Sequence, residues 1–494
     1  MNSAWMPSAW IPTESQLVIW LLVPYLAAFL AALLPSFCTP LVLLCCLATG
    51  LLGAEVLLSG ASLQVLLLGE HGVSLSLDPL ASWFLVLNGL VCLAVWLDRR
   101  QQGWDRTGWM LLLVLLGALN TSFLTTDLIS LYVSLEVVGI SAFLLILQGK
   151  TANANWIGLR YLLISNTAMA LYLIGAALVY AQTGRFQFAA LAELPLGAPL
   201  ALVLVGLLTK AGVFLNGLWL PRTHAEAPPE VSALLSGVVV SAGALPLLRL
   251  EQLNSSITTL VAPLGLASAV LGLVYALSVD DAKRLLAWST VGQMGLVVLS
   301  PVAGGALALS HGVAKAALFL TARHWPNRSL QGWSERPLAW SVQLPLWLGA
   351  LSIAGLPPLL GYAAKKQLEV AVSPPLGGVL LLLSIGSVAI YARLCSAPWR
   401  GGPHQPASWG ALLLTLPLLV GAAGLGSATL SATAPALLPL ALGLLLHLGL
   451  EALQRAQPRA LPQLDRLPDL LGGLGLVGAG LLLAFNTNRF GAGG

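Results

Sequence analysis

Charge is what this sequence has least of: Asp, Glu, Lys and Arg make up 9% of its 494 residues. A soluble domain carries roughly 25%, so a soluble enzyme, a nucleic-acid binder and a disordered chain are all excluded. Cysteine offers no framework either. Cys38, Cys45, Cys46, Cys92 and Cys395 lie in apolar runs without C-x-x-C spacing and read as small buried hydrophobes, not as a disulfide or metal cluster. The first 30 residues hold no Lys or Arg, which excludes the basic region of a secretory signal and leaves the first apolar run as a retained span. No stretch alternates polar and apolar residues over about ten positions, as a barrel strand would. Walker loops and the ligand spacings of haem or iron–sulfur clusters are also missing. The G-x-G-x-x-G of Gly473, Gly475 and Gly478 sits inside an apolar run, where small residues serve helix packing. The chain is expected to carry no catalytic chemistry, cofactor or metal of its own.

What it has instead is apolar length. Hydrophobic residues make up 57% of the chain and the mean hydropathy is +0.88. About 280 apolar residues at ~20 per span would fill on the order of 14 helices, and a pass along the runs places about 16. The fold class is therefore an all-α polytopic membrane protein with about 14–16 transmembrane helices, some of them broken. Lys and Arg test that count. With the N-terminus outside, sixteen of the 23 basic residues fall in or beside cytoplasmic loops, among them Arg99, Arg100, Arg106, Lys283, Arg284, Arg323 and Arg328. External segments hold three, Arg185, Arg249 and Arg489. That bias places both termini outside. The net charge of +4 reflects these loops and not a nucleic-acid partner.

The informative residues are the charges that break the apolar runs, since one at the bilayer centre costs at least ~2.5–3.5 kcal/mol. Glu136 interrupts LYVSLEVVGISAF and Lys210 interrupts VGLLTKAGVFL. His311 and Lys315, four apart in LSHGVAKAALFL, share a helix face. Lys365 follows a Pro/Gly-rich break in LPPLLGYAAKKQL, whereas Lys366 reads as a snorkelling lysine. Ionisable groups of mixed sign on separate helices point to a proton relay. The Pro-punctuated stretches beside Lys210 and Lys365 point to a transporter of two inverted repeats, with broken helices at matching places.

At these residues the chain resembles the proton-translocating antiporter-like family: the D-type subunit of Mrp Na+/H+ antiporters and the related antiporter-like subunits of complex I, the NADH:quinone oxidoreductase. The resemblance rests on ordered stretches between about residues 75 and 395. They are LDPLASWF, DLISLYVSLEVVGISAF, LTKAGVF with LWLP and APPEVSALLSG, DDAKRLLAWSTVGQMG, HGVAKAALFL and LSIAGLPPLLGYAAK. APPEVSALLSG and Lys365 look more like the Mrp D-type protein than the complex I relative with a glutamate in that place. The resemblance implies that Glu136 lies within ion-pair reach of Lys210 and by pairing with it controls its proton affinity, that His311 and Lys315 form the central relay, and that Lys365 is the terminal exchanger. Asp78 is a candidate acid that reads equally as a helix cap beside Pro79. The resemblance also implies four segments: amino-terminal helices 1–105, inverted five-helix repeats 106–255 and 256–398, and carboxy-terminal helices 399–494.

Three departures from the family pattern stand out. The eighth span, SALLSGVVVSAGAL, has Ser236 and Ser241 where a Lys or His is usual. A common His is replaced around Asn216–Gly217, and an acidic residue after LWLP is replaced by Arg222. A hydrated but uncharged gap is expected between Lys210 and Lys315, with Ser236 and Ser241 as a candidate polar relay. The leading expectation is a proton-translocating subunit of a multi-subunit Na+/proton antiporter, partnered by other membrane subunits in a bacterial-type plasma membrane. The alternatives are a proton-pumping subunit of an NADH- or ferredoxin-quinone oxidoreductase, for which a thylakoid membrane also fits, and a structural or inorganic-carbon-uptake-coupled membrane subunit.

Overall fold

The computed structural model describes residues 11–67, 69, 72–331, 333–335, 337–396, 407–424, 434–456, 461–464 and 466–491. The expected boundary at 398/399 lies outside them. Helices α1 (Glu14–Leu33) and α2 (Cys38–Ser59) lead to a small antiparallel hairpin, β1 (Leu63–Leu66) with β2 (Ser74–Leu77), which the all-helical expectation lacks. Then come α3 (Pro79–Gln102), α4 (Arg106–Leu124), α5 (Leu128–Leu147), α6 (Ala152–Thr183) and the short α7 (Phe188–Glu193). Two interrupted helices follow. The first is α8 (Ala198–Ala211) with α9 (Leu220–Glu226); the second is α10 (Pro229–Leu234), a π turn at Leu235–Val239, and α11 (Ser241–Leu253). The second half holds α12 (Ser255–Ser278), α13 (Ala282–Val297), α14 (Pro301–Thr321), the broken pair α15 (Trp340–Ala354) and α16 (Leu360–Ala371), and α17 (Pro374–Leu394). The chain continues through α18 (Trp409–Gly424), α19 (Ala434–Ala456) and α20 (Leu467–Gly491).

Among the described residues, eleven helices are long and apolar enough to cross a membrane, and twelve if α8 and the bent segment after it count as one. Three shorter apolar helices add to them, so the chain is a multi-pass α-helical membrane protein.

Helix starts follow from short polar side chains. Asp78, Asp105, Asp127, Thr151 and Asp281 each accept the backbone N–H three residues on, satisfying a donor with no partner inside the helix. Two of these caps sit in matching surroundings. Asp127 bridges Gln187 through Leu128 N–H to Phe186 O and Phe188 N–H to Thr126 O, at 2.9 and 3.0 Å. Asp281 bridges Ser329 in the same way, through Ala282 N–H to Arg328 O and Leu330 N–H to Asp280 O, at 2.8 and 3.0 Å. Each bridge ties the start of one helix (α5 or α13) to the chain just after the next long helix (α6 or α14).

The core sits where the halves meet. An 18-residue stretch of Pro229–Leu253 is wholly buried, and one of Pro301–His324 is 94% buried. These two segments pack on each other so closely that a Cβ on Gly237 would lie 3.2 Å from Gly312 O. Side chains on this interface face neither lipid nor water, which is why polar residues there need protein partners.

Candidate functional site

The first cluster forms around Lys210, in the last turn of α8 and 5% exposed. The helix stops two residues later at Gly212, which takes a left-handed φ of +69° that only glycine adopts freely. The freed backbone is satisfied by protein. Asn216 Nδ2 donates to Val205 O and Thr209 Oγ1, Trp219 Nε1 donates to Thr209 O, and Phe214 N–H donates to Ser268 Oγ. This stitching fixes where Lys210 points. Its Nζ donates to Leu135 O at 3.0 Å and to Ser165 Oγ at 2.6 Å, beside a small cavity lined by Tyr161, Thr209, Trp219 and Val239. Gly139 makes room for the amine, since a Cβ there would lie 3.0 Å from Nζ.

Glu136 stands one residue from Leu135 but does not close the ion pair expected from sequence. The Lys210 amine is taken up by a carbonyl and a hydroxyl, and Glu136 Oε1 is buried without a hydrogen-bond partner. The two charges still feel each other electrostatically. In this geometry the carboxylate is near the amine and not locked to it.

The second cluster forms around Lys315 of α14, which is fully buried. Its Nζ donates to Leu286 O at 2.6 Å and to Ser289 Oγ, and lies 5.5 Å from the centre of the Tyr391 ring. Ser289 and Tyr391 hydroxyls are 2.9 Å apart. One turn earlier, His311 is 3% exposed and neither ring nitrogen has a hydrogen-bond partner.

Ser236 joins this cluster, and Ser241 does not. Ser236 Oγ lies 2.7 Å from Thr290 Oγ1, and Thr290 donates to Leu286 O, the carbonyl that also accepts from Lys315. Ser241 Oγ, 1% exposed, has no hydrogen-bond partner. Hydroxyl contacts thus run from the π turn toward Lys315 at Ser236.

Lys365 takes a third position. Its Nζ donates to Ala354 O at 3.3 Å, at the end of α15, so a lysine from beyond the break caps the helix before it. Gly355 turns that end with φ +93°, as Gly212 does in the first half. Asp78 is the N-cap of α3, accepting from Ala81 N–H at 2.8 Å, and it is also held by Arg249 at 2.6 Å. The pair lines an open cavity of about 440 Å³ under the hairpin, remote from the buried lysines in sequence and partners alike.

The sequence reading passes over His224. It is wholly buried on α9, stacked on Phe319 of α14 at 4.9 Å between ring centres, with neither ring nitrogen hydrogen-bonded. Phe319 lies one turn beyond Lys315, so the imidazole stands beside the second cluster, in electrostatic range of Lys315. The available signal was a histidine inside the Pro-punctuated LWLPRTHAEAPP; its burial comes from packing against a helix almost 100 residues away. Among the described residues, no group of three or more His, Cys, Asp or Glu is placed to hold a metal ion.

Comparisons with known proteins match this architecture. The family described as NADH:quinone oxidoreductase/Mrp antiporter, TM matches residues 125–390, which hold Lys210 and Lys315. The N subunit of the NADH-quinone oxidoreductase of Desulforudis audaxviator is 30% identical over 441 residues, covering 80% of this chain and 85% of its own. The D subunit of the Na(+)/H(+) antiporter of Alkalihalophilus pseudofirmus is 30% identical over 316 residues, covering 56% of this chain and 64% of its own. Among solved structures, a chain of the Mrp complex from a Dietzia species superposes with a TM-score of 0.74, covering 88% of this chain and 97% of that one. At 20% identity that likeness speaks for the fold alone.

Proposed function

This chain belongs to the NADH:quinone oxidoreductase/Mrp antiporter family of membrane proteins, and on that premise we propose that it is a proton-translocating subunit of a multi-subunit membrane complex. The observation that carries the reading is two wholly enclosed lysines, Lys210 and Lys315, whose amines rest only on carbonyl and hydroxyl oxygens. A structural role asks for a locked ion pair or an apolar side chain. An amine held by neutral acceptors can sit in either protonation state. Burial disfavours a charged amine and a nearby carboxylate favours it, so moving a carboxylate charge toward such a site loads a proton and moving it away ejects one. Glu136 is positioned to do this at Lys210. His311 and His224 flank Lys315, Ser236 and Thr290 lie on the side toward the first half, and Lys365 is the terminal exchanger.

The two halves, 106–255 and 256–398, act as inverted repeats in this reading. The matching bridges at Asp127 and Asp281 support it. Five spans separate the starts of α5 and α13, so equivalent bridges lie on opposite membrane faces. The excess of Lys and Arg supports a cytoplasmic Asp281 and two external termini.

Within this reading the complex is an Mrp-type antiporter exchanging protons for Na+, by its likeness to the D subunit of the Na(+)/H(+) antiporter. The second reading, a pumping subunit driven by quinone chemistry elsewhere, is favoured by the longer alignment to the N subunit of the quinone oxidoreductase. Proton flux into vesicles holding the purified complex tests what both share. Lys210→Ala and Lys315→Ala should each abolish flux while the complex assembles; full flux in either variant overturns the proposal. Na+ dependence of the wild-type flux then separates the two assemblies.

A further inference from the structure

The DDAKR motif reads from sequence as a membrane-surface anchor, but the structure buries its lysine. Lys283 is 6% exposed, and its Nζ donates to Ala227 O at 2.5 Å, the carbonyl just past the end of α9. Arg328, Asp281, Glu230 and Glu226 surround it within electrostatic range. Glu230 is held by Arg99 and Arg323, and Asp281 by Arg328, which leaves the half-buried Glu226 outside these ion pairs. On the inner side stands His224, three residues before Ala227 and stacked on Phe319, one turn of α14 from Lys315, with both ring nitrogens buried and without a partner.

Exposure falls in steps along this line. The Arg328 and Asp281 side chains are 45% and 25% exposed, Lys283 is 6%, and His224 and Lys315 are 0%. We propose that Lys283 takes up protons at the Arg-rich face and passes them through His224 to Lys315. The proposal rests on the reading of Lys315 as a proton carrier. In the step, the neutral Lys283 amine accepts a proton from water or from the Glu226 carboxylic acid. The resulting ammonium gives a proton through an intervening water to one ring nitrogen of His224, the other ring nitrogen releases its proton through a second water to the neutral Lys315 amine, and the imidazole returns to its first tautomer before the next transfer. One proton is taken up, one is delivered, and no other reactant is needed.

The competing explanation is that Lys283 only caps α9. A cap needs a cation with a donor, and arginine serves that as well as lysine does; a relay needs an amine that sheds its proton, which a guanidinium does not do. Lys283→Arg therefore keeps the carbonyl contact and the charge while removing the transfer. The experiment measures proton uptake from the Arg-rich face across a pH series, in vesicles holding the whole complex with wild type, Lys283→Arg, Lys283→His or Lys315→Ala. The proposal expects at least a tenfold loss in Lys283→Arg with normal assembly. It also expects partial recovery in Lys283→His, with half-maximal uptake at lower pH than wild type because imidazole is the weaker base. Full flux in Lys283→Arg beside a dead Lys315→Ala overturns the relay and leaves the reading of Lys315 intact. Full flux in Lys315→Ala overturns that reading, and the relay with it. If Lys283→Arg fails to assemble, wild-type uptake and pH profile in an assembled Lys283→His overturn the relay.

Discussion

The two halves solve one problem, keeping an amine inside a membrane protein, with different chemistry. In each, a lysine Nζ rests on one backbone carbonyl and one serine hydroxyl: Leu135 O with Ser165 for Lys210, Leu286 O with Ser289 for Lys315. The carbonyls come from matching helices, α5 and α13, each begun by a capping aspartate in the same backbone bridge. Nine residues after those aspartates the halves part. The first has Glu136 and the second has Thr290. Only the first amine therefore has a carboxylate close enough to tune it; around Lys315 the tuning groups are the imidazoles of His311 and His224. The breaks differ as well. Both turn on a left-handed glycine, but Lys210 lies before Gly212 and Lys365 lies ten residues after Gly355 and reaches back. Similar backbone bridges and left-handed glycine turns thus accompany the held amines, and the side chains decide how each charge is controlled.

Neutralising the acid that only one half has should break this comparison most visibly. Glu136→Gln is expected to lower proton flux about 100-fold, within the range for a positioned acid–base group. Thr290→Ala, at the matching place, should cost no more than about tenfold, since it removes two neutral hydrogen bonds, with Ser236 and with the Leu286 carbonyl, and no charge. Equal losses would show that the halves do not differ in the way described. The space over Gly139 gives a sharper and smaller test. Gly139→Ala pushes a methyl against the Lys210 amine, and a displacement of a few tenths of an ångström should reduce flux about tenfold with little change in stability. Thermal unfolding of the detergent-solubilised complex separates the two effects. The smallest effect is expected at Lys366, next to Lys365, the proposed exchanger. It pairs with Glu369 while both side chains are 44% exposed, so Lys366→Gln should change the unfolding free energy by less than about 0.5 kcal/mol and leave flux unchanged. A large loss there would mean that position along α16, and not enclosure, marks a functional lysine.

Much of this was legible along the chain. The expected spans coincide with helices because apolar length is a local property, and the anomalous charges stood out because a membrane tolerates few of them. Asp78 before Pro79 read as a helix cap for an equally local reason, and it caps α3. The site was less legible. Glu136 and Lys210 were expected to touch, but opposite sign says nothing about which atoms an amine finds first, and here it finds Ser165 on α6. Ser236 and Ser241 read as equals, yet only Ser236 meets Thr290; Ser236 lies in the π turn and Ser241 beyond it, so the two present different faces.

The sequence by itself determined that the chain crosses a membrane many times and which residues pay for being there, because hydropathy and charge act residue by residue. Tertiary structure alone decided what each of those residues touches. His224 came to lie against Phe319, and Lys283 against the end of α9, only when α9 packed against α13 and α14, about 60 to 100 residues further on. The rotation of one helix against another sets those contacts, and no local pattern in the chain records that angle.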